Sequence, residues 1–123
     1  SITIAIAGAA GRMGQALAKA AGDGLLFGGT ERPGAAGIGK DQGGWALSES
    51  AQKAAASADV WIDFTTPQAS VEALDLLKLT KVKAAVVGTT GLSPQQEQQI
   101  AEHARRIAIV RDRNFSLGVN LMI

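Results

Sequence analysis

A glycine-rich turn lies between a short apolar run and a helical pattern within the first 20 residues of the chain. The apolar run, residues 2–7, is rich in β-branched side chains and predicts a buried strand. A strand that turns into a helix through glycines leaves backbone N–H groups free at the positive end of the helix dipole. The turn therefore predicts a phosphate site, suited in a βαβ unit to a dinucleotide pyrophosphate. The glycines are Gly8, Gly11 and Gly14, and the expected apolar helix face is Met13, Ala16, Leu17 and Ala20.

The glycine spacing is G-x-x-G-x-x-G and differs from G-x-G-x-x-G, because Ala10 occupies the second glycine position. A tight strand-to-helix turn that binds nothing is the alternative interpretation. Context favours the dinucleotide, since the turn follows a strand, opens a helix and precedes a second predicted strand that ends in an acid.

That acid is Glu31, and Arg32 follows it. A carboxylate at this position accepts hydrogen bonds from ribose hydroxyls and repels a 2′-phosphate, whereas a guanidinium can pair with that phosphate. Together the two residues predict a site that takes NADH and NADPH, with a modest preference for NADH. A solvated Glu–Arg pair at the start of a loop is the alternative.

Apolar runs alternate with helical patterns along the rest of the chain. Thr66 before Pro67 and Ser93 before Pro94 each predict a helix start, and residues 48–58 predict an alanine-rich helix. Short apolar strands that alternate with helices predict an α/β fold, a Rossmann-like doubly wound parallel sheet. The five predicted strands are residues 2–7, 25–30, 60–64, 84–88 and 107–110.

Two segments fall outside this alternation. Residues 32–44 contain five glycines and predict a mobile loop near the ribose end of the site. Residues 116–123 look like the start of a helix that stops early, so we expect the chain to end at a domain boundary.

Bulk composition indicates one domain, residues 1–123, of ordinary size. The absence of cysteine from the sequence excludes disulfides and thiolate metal sites in it and fits a reducing cytoplasm, which we predict as the location. The formal net charge of +1 gives no electrostatic reason to expect nucleic acid or a membrane as partner, and no apolar run is long enough to cross a bilayer. No metal site is predicted.

Polar candidates follow the third and fourth predicted strands. Gly88, Thr89 and Thr90 lie where an open parallel sheet binds ligands, so they predict contacts to the nicotinamide carboxamide or to a substrate carboxylate. An ordinary turn is the alternative for these three residues. Asp63 is expected to be buried and to bind backbone N–H groups near the crevice.

Two charged features are interpreted as surface. His103, the only histidine, is expected on the exposed side of a helix with no partner for catalysis. The run 111–113, Arg-Asp-Arg, is expected to be a solvated charge cluster.

Five segments of the chain, taken together, indicate a protein family more specifically than any one of them does. They are residues 4–14, 31–32, 63–67, 88–91 and 114–120. In this order and spacing, they resemble the N-terminal, cofactor-binding domain of the 4-hydroxy-tetrahydrodipicolinate (dihydrodipicolinate) reductase family. The resemblance covers nearly the whole chain. It implies an NAD(P)H-dependent oxidoreductase of lysine and diaminopimelate biosynthesis.

The resemblance also implies roles by position. Glu31 would hold the adenosine ribose, Arg32 would meet a 2′-phosphate, and Thr90 would also touch substrate. Residues 112–113 are usually small or apolar in this family, and here they are charged. The implied pyrophosphate contacts are Gly8, Ala9, Ala10, Gly11, Arg12 and Met13. The implied contacts toward the nicotinamide are Phe64, Gly88, Thr89, Thr90, Asp112, Arg113, Asn114 and Phe115, of which Asn114 and Phe115 would close over the ring.

In this family a second domain carries the substrate site, with a His-His-x-x-x-Lys motif that supplies the proton donor and binds the dicarboxylate, and it builds a homotetramer. Nothing in the 123 residues matches that motif. We therefore expect no catalytic residue here, and a chain that binds NADH or NADPH but reduces substrate slowly or not at all. The alternatives are a stand-alone nucleotide-binding or regulatory module, and another NAD(P)-dependent dehydrogenase of the same fold.

Overall fold

The computed structural model describes residues 2–21, 26–40 and 45–111. These ranges contain one six-stranded sheet and four α-helices. In chain order the elements are β1 (Ile4–Ala7), α1 (Arg12–Ala21), β2 (Leu26–Thr30), β3 (Ala46–Ser48), α2 (Ala51–Ala54), β4 (Val60–Asp63), α3 (Pro67–Leu77), β5 (Ala84–Val87), α4 (Pro94–His103) and β6 (Ala108–Arg111).

The sheet has the strand order β3-β2-β1-β4-β5-β6, and every neighbouring pair is parallel. The chain first builds outward from β1 to β3 and then returns to the other side of β1 for β4 to β6. This order is that of the Rossmann fold, with its switch point beside β1. The predicted fold class is confirmed.

The five predicted strands are present, and the structure adds β3 between the loop predicted at 32–44 and the helix predicted at 48–58. Ser48 pairs with Thr30 as the last residue of β3, so it cannot begin the helix predicted over 48–58. The cap is Ser50 instead, whose hydroxyl accepts a hydrogen bond from the Lys53 N–H at 3.2 Å. The helix proper, α2, covers only four residues of the prediction.

Residues 39 and 40 of the predicted loop are hydrogen-bonded back onto β3. The Gly39 N–H donates to the Leu47 carbonyl at 2.6 Å, and the Leu47 N–H donates to the Lys40 carbonyl at 3.3 Å. Residues 41–44 and 116–123, on which parts of the predictions fall, lie outside the described residues.

Apolar side chains pack on both faces of the sheet. Ala5, Trp61 and Val87 belong to the larger cluster, which Leu74 and Leu77 of α3 complete. The smaller cluster, on the α1 side, consists of Ile6, Ala9, Leu17 and Leu47, with Met13, Ile62 and Phe64 packed against it. No helix in the described ranges is long and apolar enough to span a membrane.

The buried face of α1 differs from the predicted one. Leu17 is buried and Met13 half-buried, as expected, but Ala16 and Ala20 are exposed. Gly14 is buried in their place, because it lies directly against the turn that precedes the helix.

Candidate functional site

The register of the sheet aligns the carboxyl ends of all six strands, including Ser48 of β3, which pairs with Thr30. Ala7 of β1 pairs with Thr30 and Asp63, and Val87 of β5 pairs with Asp63 and Arg111. Predicted site residues follow directly on four of these strand ends, and they are Gly8, Glu31, Phe64 and Gly88. Parallel sheets bind ligands at this edge, and the structure therefore brings these four residues together at the expected place.

The glycine turn packs the start of α1 directly onto the end of β1. Gly8 has φ +68°, a conformation that favours glycine, and its carbonyl accepts a hydrogen bond from the Gly11 N–H at 3.0 Å. A Cβ atom on Gly14 would collide with the Gly8 carbonyl oxygen and lie 2.6 Å from the Cα of Ala9. The helix N-terminus is thereby held at the sheet edge, in the arrangement that binds phosphate.

Glu31 joins this turn to the end of β2. Its Oε2 accepts a hydrogen bond from the Ala10 N–H at 3.1 Å, and its Oε1 accepts one from the Arg32 N–H at 3.3 Å. The Ala9 N–H donates to the Thr30 carbonyl at 2.9 Å, which adds a backbone link. A carboxylate has about four lone-pair positions, so Glu31 retains acceptor capacity for a ligand in this orientation. Arg32 is exposed beside it.

A cavity of about 410 Å³ opens between this edge and α3. It falls within the range of roughly 300–1,000 Å³ that is typical of ligand pockets. Three carboxylates and one guanidinium line it near the solvent, those of Glu31, Glu49, Glu72 and Arg32. Sequence reasoning missed Glu49 because it missed β3, which Glu49 follows; Glu72 lies on α3 with no local signal to distinguish it from a solvated acid.

The buried carboxylate of Asp63 holds the loop after β4 by hydrogen bonds. The side chain is 1% exposed, and its Oδ1 accepts hydrogen bonds from the N–H and the hydroxyl of Thr65 at 2.9 and 2.6 Å. The Trp61 indole N–H donates to Oδ2 at 3.4 Å. The expectation that Asp63 is buried and binds backbone donors is confirmed.

The same buried cluster holds the turn after β5. The hydroxyls of Thr89 and Ser70 are 2.7 Å apart, and the Gly88 N–H donates to the Asp63 carbonyl at 2.8 Å. Thr89 is 2% exposed, so its hydroxyl is used within the fold, while Thr90 is exposed at the edge. Ser70, a buried polar residue of α3, was missed by sequence reasoning.

Arg111 is not the solvated charge that the sequence predicted. It ends β6, pairs with Glu97 at 2.8 Å, and donates to the carbonyls of Val87 and Thr89. The prediction was wrong because it treated residues 111–113 as one run, whereas the strand continues through Arg111. Asp112, Arg113, Asn114 and Phe115 lie outside the described residues.

The prediction that His103 is exposed and unpartnered was also wrong. Its side chain is buried between α3 and α4, and Nε2 lies 3.1 Å from Oδ1 of Asp75. Burial lowers the pKa of His103 and outweighs the raising effect of the Asp75 carboxylate; Lys78 and Arg106 lower the pKa further. The imidazole is therefore neutral at pH 7, with Nε2–H donating to Asp75 and Nδ1 accepting from Arg106 at 3.4 Å.

His103 has no place in the candidate site. It lines a separate cavity of about 280 Å³ between the two helices, whereas the 410 Å³ cavity lies at the sheet edge. No cluster of three or more potential metal ligands exists among the described residues.

A parallel sheet in this order, with a glycine turn after β1 and an acid after β2, defines a Rossmann-type dinucleotide-binding domain. The chain belongs to the family described as "Dihydrodipicolinate reductase, N-terminus", whose pattern it matches over residues 2–115. This result confirms the family resemblance found in the five sequence segments.

Curated relatives agree with this membership. The 4-hydroxy-tetrahydrodipicolinate reductase of Trichlorobacter lovleyi is 41% identical over 130 residues, which are 98% of this chain and 48% of the relative. The enzyme of the same name from Rhizobium meliloti is 38% identical, over 97% of this chain and 53% of the relative. The chain thus spans about half the length of the curated relatives that it matches.

Solved structures share the fold. A dipicolinate-bound dihydrodipicolinate reductase from Paenisporosarcina superposes with a TM-score of 0.73 at 22% identity, over 95% of this chain and 49% of that chain. An imine reductase from Myxococcus stipitatus in complex with NAD⁺ gives a TM-score of 0.57 at 25% identity, over 89% and 38%. Both resemble this chain over less than half of their own length.

Proposed function

We propose that this chain forms the nicotinamide-dinucleotide-binding half of a 4-hydroxy-tetrahydrodipicolinate reductase. The complete enzyme would transfer hydride from NAD(P)H to a cyclic, imine-like dicarboxylate in lysine and diaminopimelate biosynthesis, and would act as a homotetramer. The observation that carries the proposal is the 3.1 Å hydrogen bond from the Ala10 N–H to Glu31. This bond joins Glu31, the acid expected to bind the ribose, to the turn expected to bind the pyrophosphate.

The pyrophosphate is assigned to the turn and the first residues of α1. The fit rests on the close approach of Gly14 to the turn, which leaves the helix N-terminus at the edge without an intervening side chain. Exposed Arg12 adds a positive charge there, and half-buried Met13 anchors the helix in the smaller core cluster. The assigned residues are Gly8, Ala9, Ala10, Gly11, Arg12 and Met13.

The adenosine ribose is assigned to Glu31, and the charges around the 410 Å³ cavity favour NADH over NADPH. Glu49 and Glu72 line the same cavity, so three carboxylates oppose the single guanidinium of Arg32 when a 2′-phosphate enters. The proposed site takes both cofactors, and Arg32 limits the preference by offering the phosphate a partner.

The nicotinamide end is assigned to Phe64, the 88–90 turn and residues 112–115, with Thr90 also facing substrate. The bound cofactor supplies the hydride, and this chain binds it and holds its position. Nothing in the 123 residues matches the His-His-x-x-x-Lys motif that supplies the proton donor in this family. We therefore assign no proton donor to this chain and expect it to reduce substrate slowly or not at all on its own.

Titration calorimetry with NADH and NADPH tests the proposed function on the wild-type chain and on Glu31→Gln. We expect saturable binding, with NADH weakened about tenfold in the variant, because a charge-assisted hydrogen bond is worth about 1.5–3 kcal/mol. The affinity for NADPH should fall less, since the substitution also removes a negative charge that repels the 2′-phosphate. Glu102→Gln, the same change on α4 beside the other cavity, is the control and should bind both cofactors normally. Failure of the folded wild-type chain to bind either cofactor would refute the proposal.

Glu72→Gln tests the proposed preference separately. The carboxylate of Glu72 accepts a hydrogen bond from Gln68 at 2.8 Å, and an amide at this position keeps the shape of the cavity wall. We expect the ratio of NADPH to NADH affinity to rise about two- to fivefold, as for the loss of one screened repulsion. An unchanged ratio in the same calorimetric titrations would show that Glu72 does not influence cofactor choice.

A further inference from the structure

The geometry points to Arg111 as a positioning residue for the nicotinamide end of the site. We infer that its guanidinium fixes the turn at residues 88–90 and thereby the direction of Thr90. The inference rests on the proposed function, because it concerns the half of the cofactor that this turn would contact.

Arg111 reaches across from the end of β6 to the backbone of the turn. It pairs in register with Val87, the last residue of β5. Its Nη1 donates to the Val87 carbonyl at 2.7 Å and to the Thr89 carbonyl at 3.3 Å. One side-chain nitrogen thus bridges the carbonyl at the end of the strand and the carbonyl two residues beyond it.

Glu97 of α4 holds the guanidinium in the plane that these contacts require. Its Oε2 accepts from Nη2 at 2.8 Å and its Oε1 accepts from Nε at 3.3 Å. The side chains of Arg111 and Glu97 are 20% and 30% exposed, so the pair is partly shielded from water. A bidentate, partly buried pair of this kind fixes orientation in a way that an exposed ion pair does not.

Thr89 is consequently held from two sides. Its carbonyl accepts from Arg111, and its hydroxyl lies 2.7 Å from that of Ser70 in the buried cluster below the turn. With the carbonyl and the side chain both fixed, the peptide that leads to exposed Thr90 has one orientation. A lysine at position 111 could not make the bidentate pair with Glu97 and also bridge both carbonyls, because an ammonium group has three donors and lacks the planar fork of arginine.

Two ligands separate this role from a general effect on folding. ADP-ribose carries the adenosine and both phosphates but no nicotinamide, whereas NADH carries both halves. We expect Arg111→Met to weaken NADH binding about fivefold or more, because the turn at residues 88–90 loses the hydrogen bonds that hold it. The affinity for ADP-ribose should stay within about twofold of the wild-type value. Arg111→Lys should restore only part of the NADH affinity.

Calorimetric titration of the whole chain provides the readout, with Arg105→Met as the matched control. Arg105 is exposed just after α4, so its loss removes the same charge and should leave the NADH to ADP-ribose affinity ratio unchanged. Amide NMR shifts of Thr89 and Thr90 add a second measure: in wild type NADH should move them more than ADP-ribose does, and in Arg111→Met the two ligands should act alike.

These titrations distinguish a failure of the proposed function from a failure of the proposed role of Arg111. A wild-type chain that binds neither ligand overturns the proposed function, and this inference with it. A wild-type chain that binds both, with an unchanged affinity ratio in Arg111→Met, overturns only the role of Arg111. Equal weakening of both ligands also overturns it, because a merely structural arginine would produce that result.

Discussion

Gly14 is the residue at which the glycine turn is most sensitive to a single methyl group. Alanine normally stabilises a helix by about 1 kcal/mol relative to glycine. Here its Cβ would collide with the Gly8 carbonyl oxygen and with the Ala9 backbone, which cannot move without opening the turn. We therefore expect Gly14→Ala to lower the free energy of unfolding in urea and to weaken NADH binding together.

Gly11→Ala provides the graded comparison. Its Cβ would meet a single atom, the Gly8 carbonyl oxygen, at 3.3 Å, and its φ is not positive. The variant should stay within about 1 kcal/mol of the wild-type stability. If Gly11→Ala and Gly14→Ala were equally destabilised, close packing of the helix on the turn would not explain the requirement for glycine.

Residues whose position follows directly from a strand end were predictable, and side-chain pairs that join separate elements were not. The turn and Glu31 follow from local chemistry at a strand end, and Asp63 binds Thr65 two residues away. Arg111 and Glu97 are 14 residues apart on different elements, so a charge run was the simplest interpretation of the sequence. His103 was misinterpreted for the same reason, since its partner Asp75 lies on another helix.

At the scale of elements, the contact between α3 and α4 contains the buried His103. Asp75 of α3, Lys78 just after α3 and Arg106 just after α4 act on the ring, and Glu102 of α4 lines the same cavity. Because burial lowers the pKa of His103 below its ordinary value of 6.5, the unfolded chain binds this proton more readily than the folded chain. The associated stability is present above about pH 6.5 and is lost as the pH falls through the lowered pKa.

His103→Gln removes this titration. In urea unfolding between pH 8 and pH 5, the wild-type chain should lose more stability than the variant over this window. The difference should level off once the pH is below the lowered pKa, because both states then carry the proton. A variant that loses as much stability as the wild type would show that other groups govern the acid sensitivity of the fold.

The element boundaries show where local patterns fail. The strands of the sheet centre, such as β1 and β4, are apolar because they are covered on both faces, and the sequence predicted them. The edge strand β3 has only three residues, too few for a composition pattern that predicts a strand. Its pairing with β2 is what makes it a strand. The helix after it was predicted too long, because alanine content alone does not separate α2 from the turns that follow it.

For the whole molecule, the sheet divides the core into two unequal clusters. Helices α2, α3 and α4 cover the larger one, whereas α1 covers the smaller one, to which β1 and β3 contribute Ile6 and Leu47. On the α1 side of β6, Val110 is 56% exposed. Stability should therefore depend mainly on the larger cluster, in which Leu74 is 0% exposed.

Leu74→Ala and Leu79→Ala make the same chemical change at opposite extremes of burial. Leu74 is fully buried in the larger cluster, so its truncation should cost about 2–5 kcal/mol, from lost burial and the cavity left behind. Leu79 is 67% exposed, and its truncation should change stability by no more than about 0.5 kcal/mol. Urea unfolding followed by tryptophan fluorescence and by far-ultraviolet circular dichroism measures both.

The two probes also test whether the sheet couples its two faces. Trp61 lies in the larger cluster and Trp45 packs against the smaller one, so fluorescence reports on both sides, and circular dichroism reports on the backbone. Because the strands contribute side chains to both clusters, Leu74→Ala should shift the two transitions together. A fluorescence transition that separates from the circular dichroism transition would mean that the two clusters do not unfold as one cooperative unit.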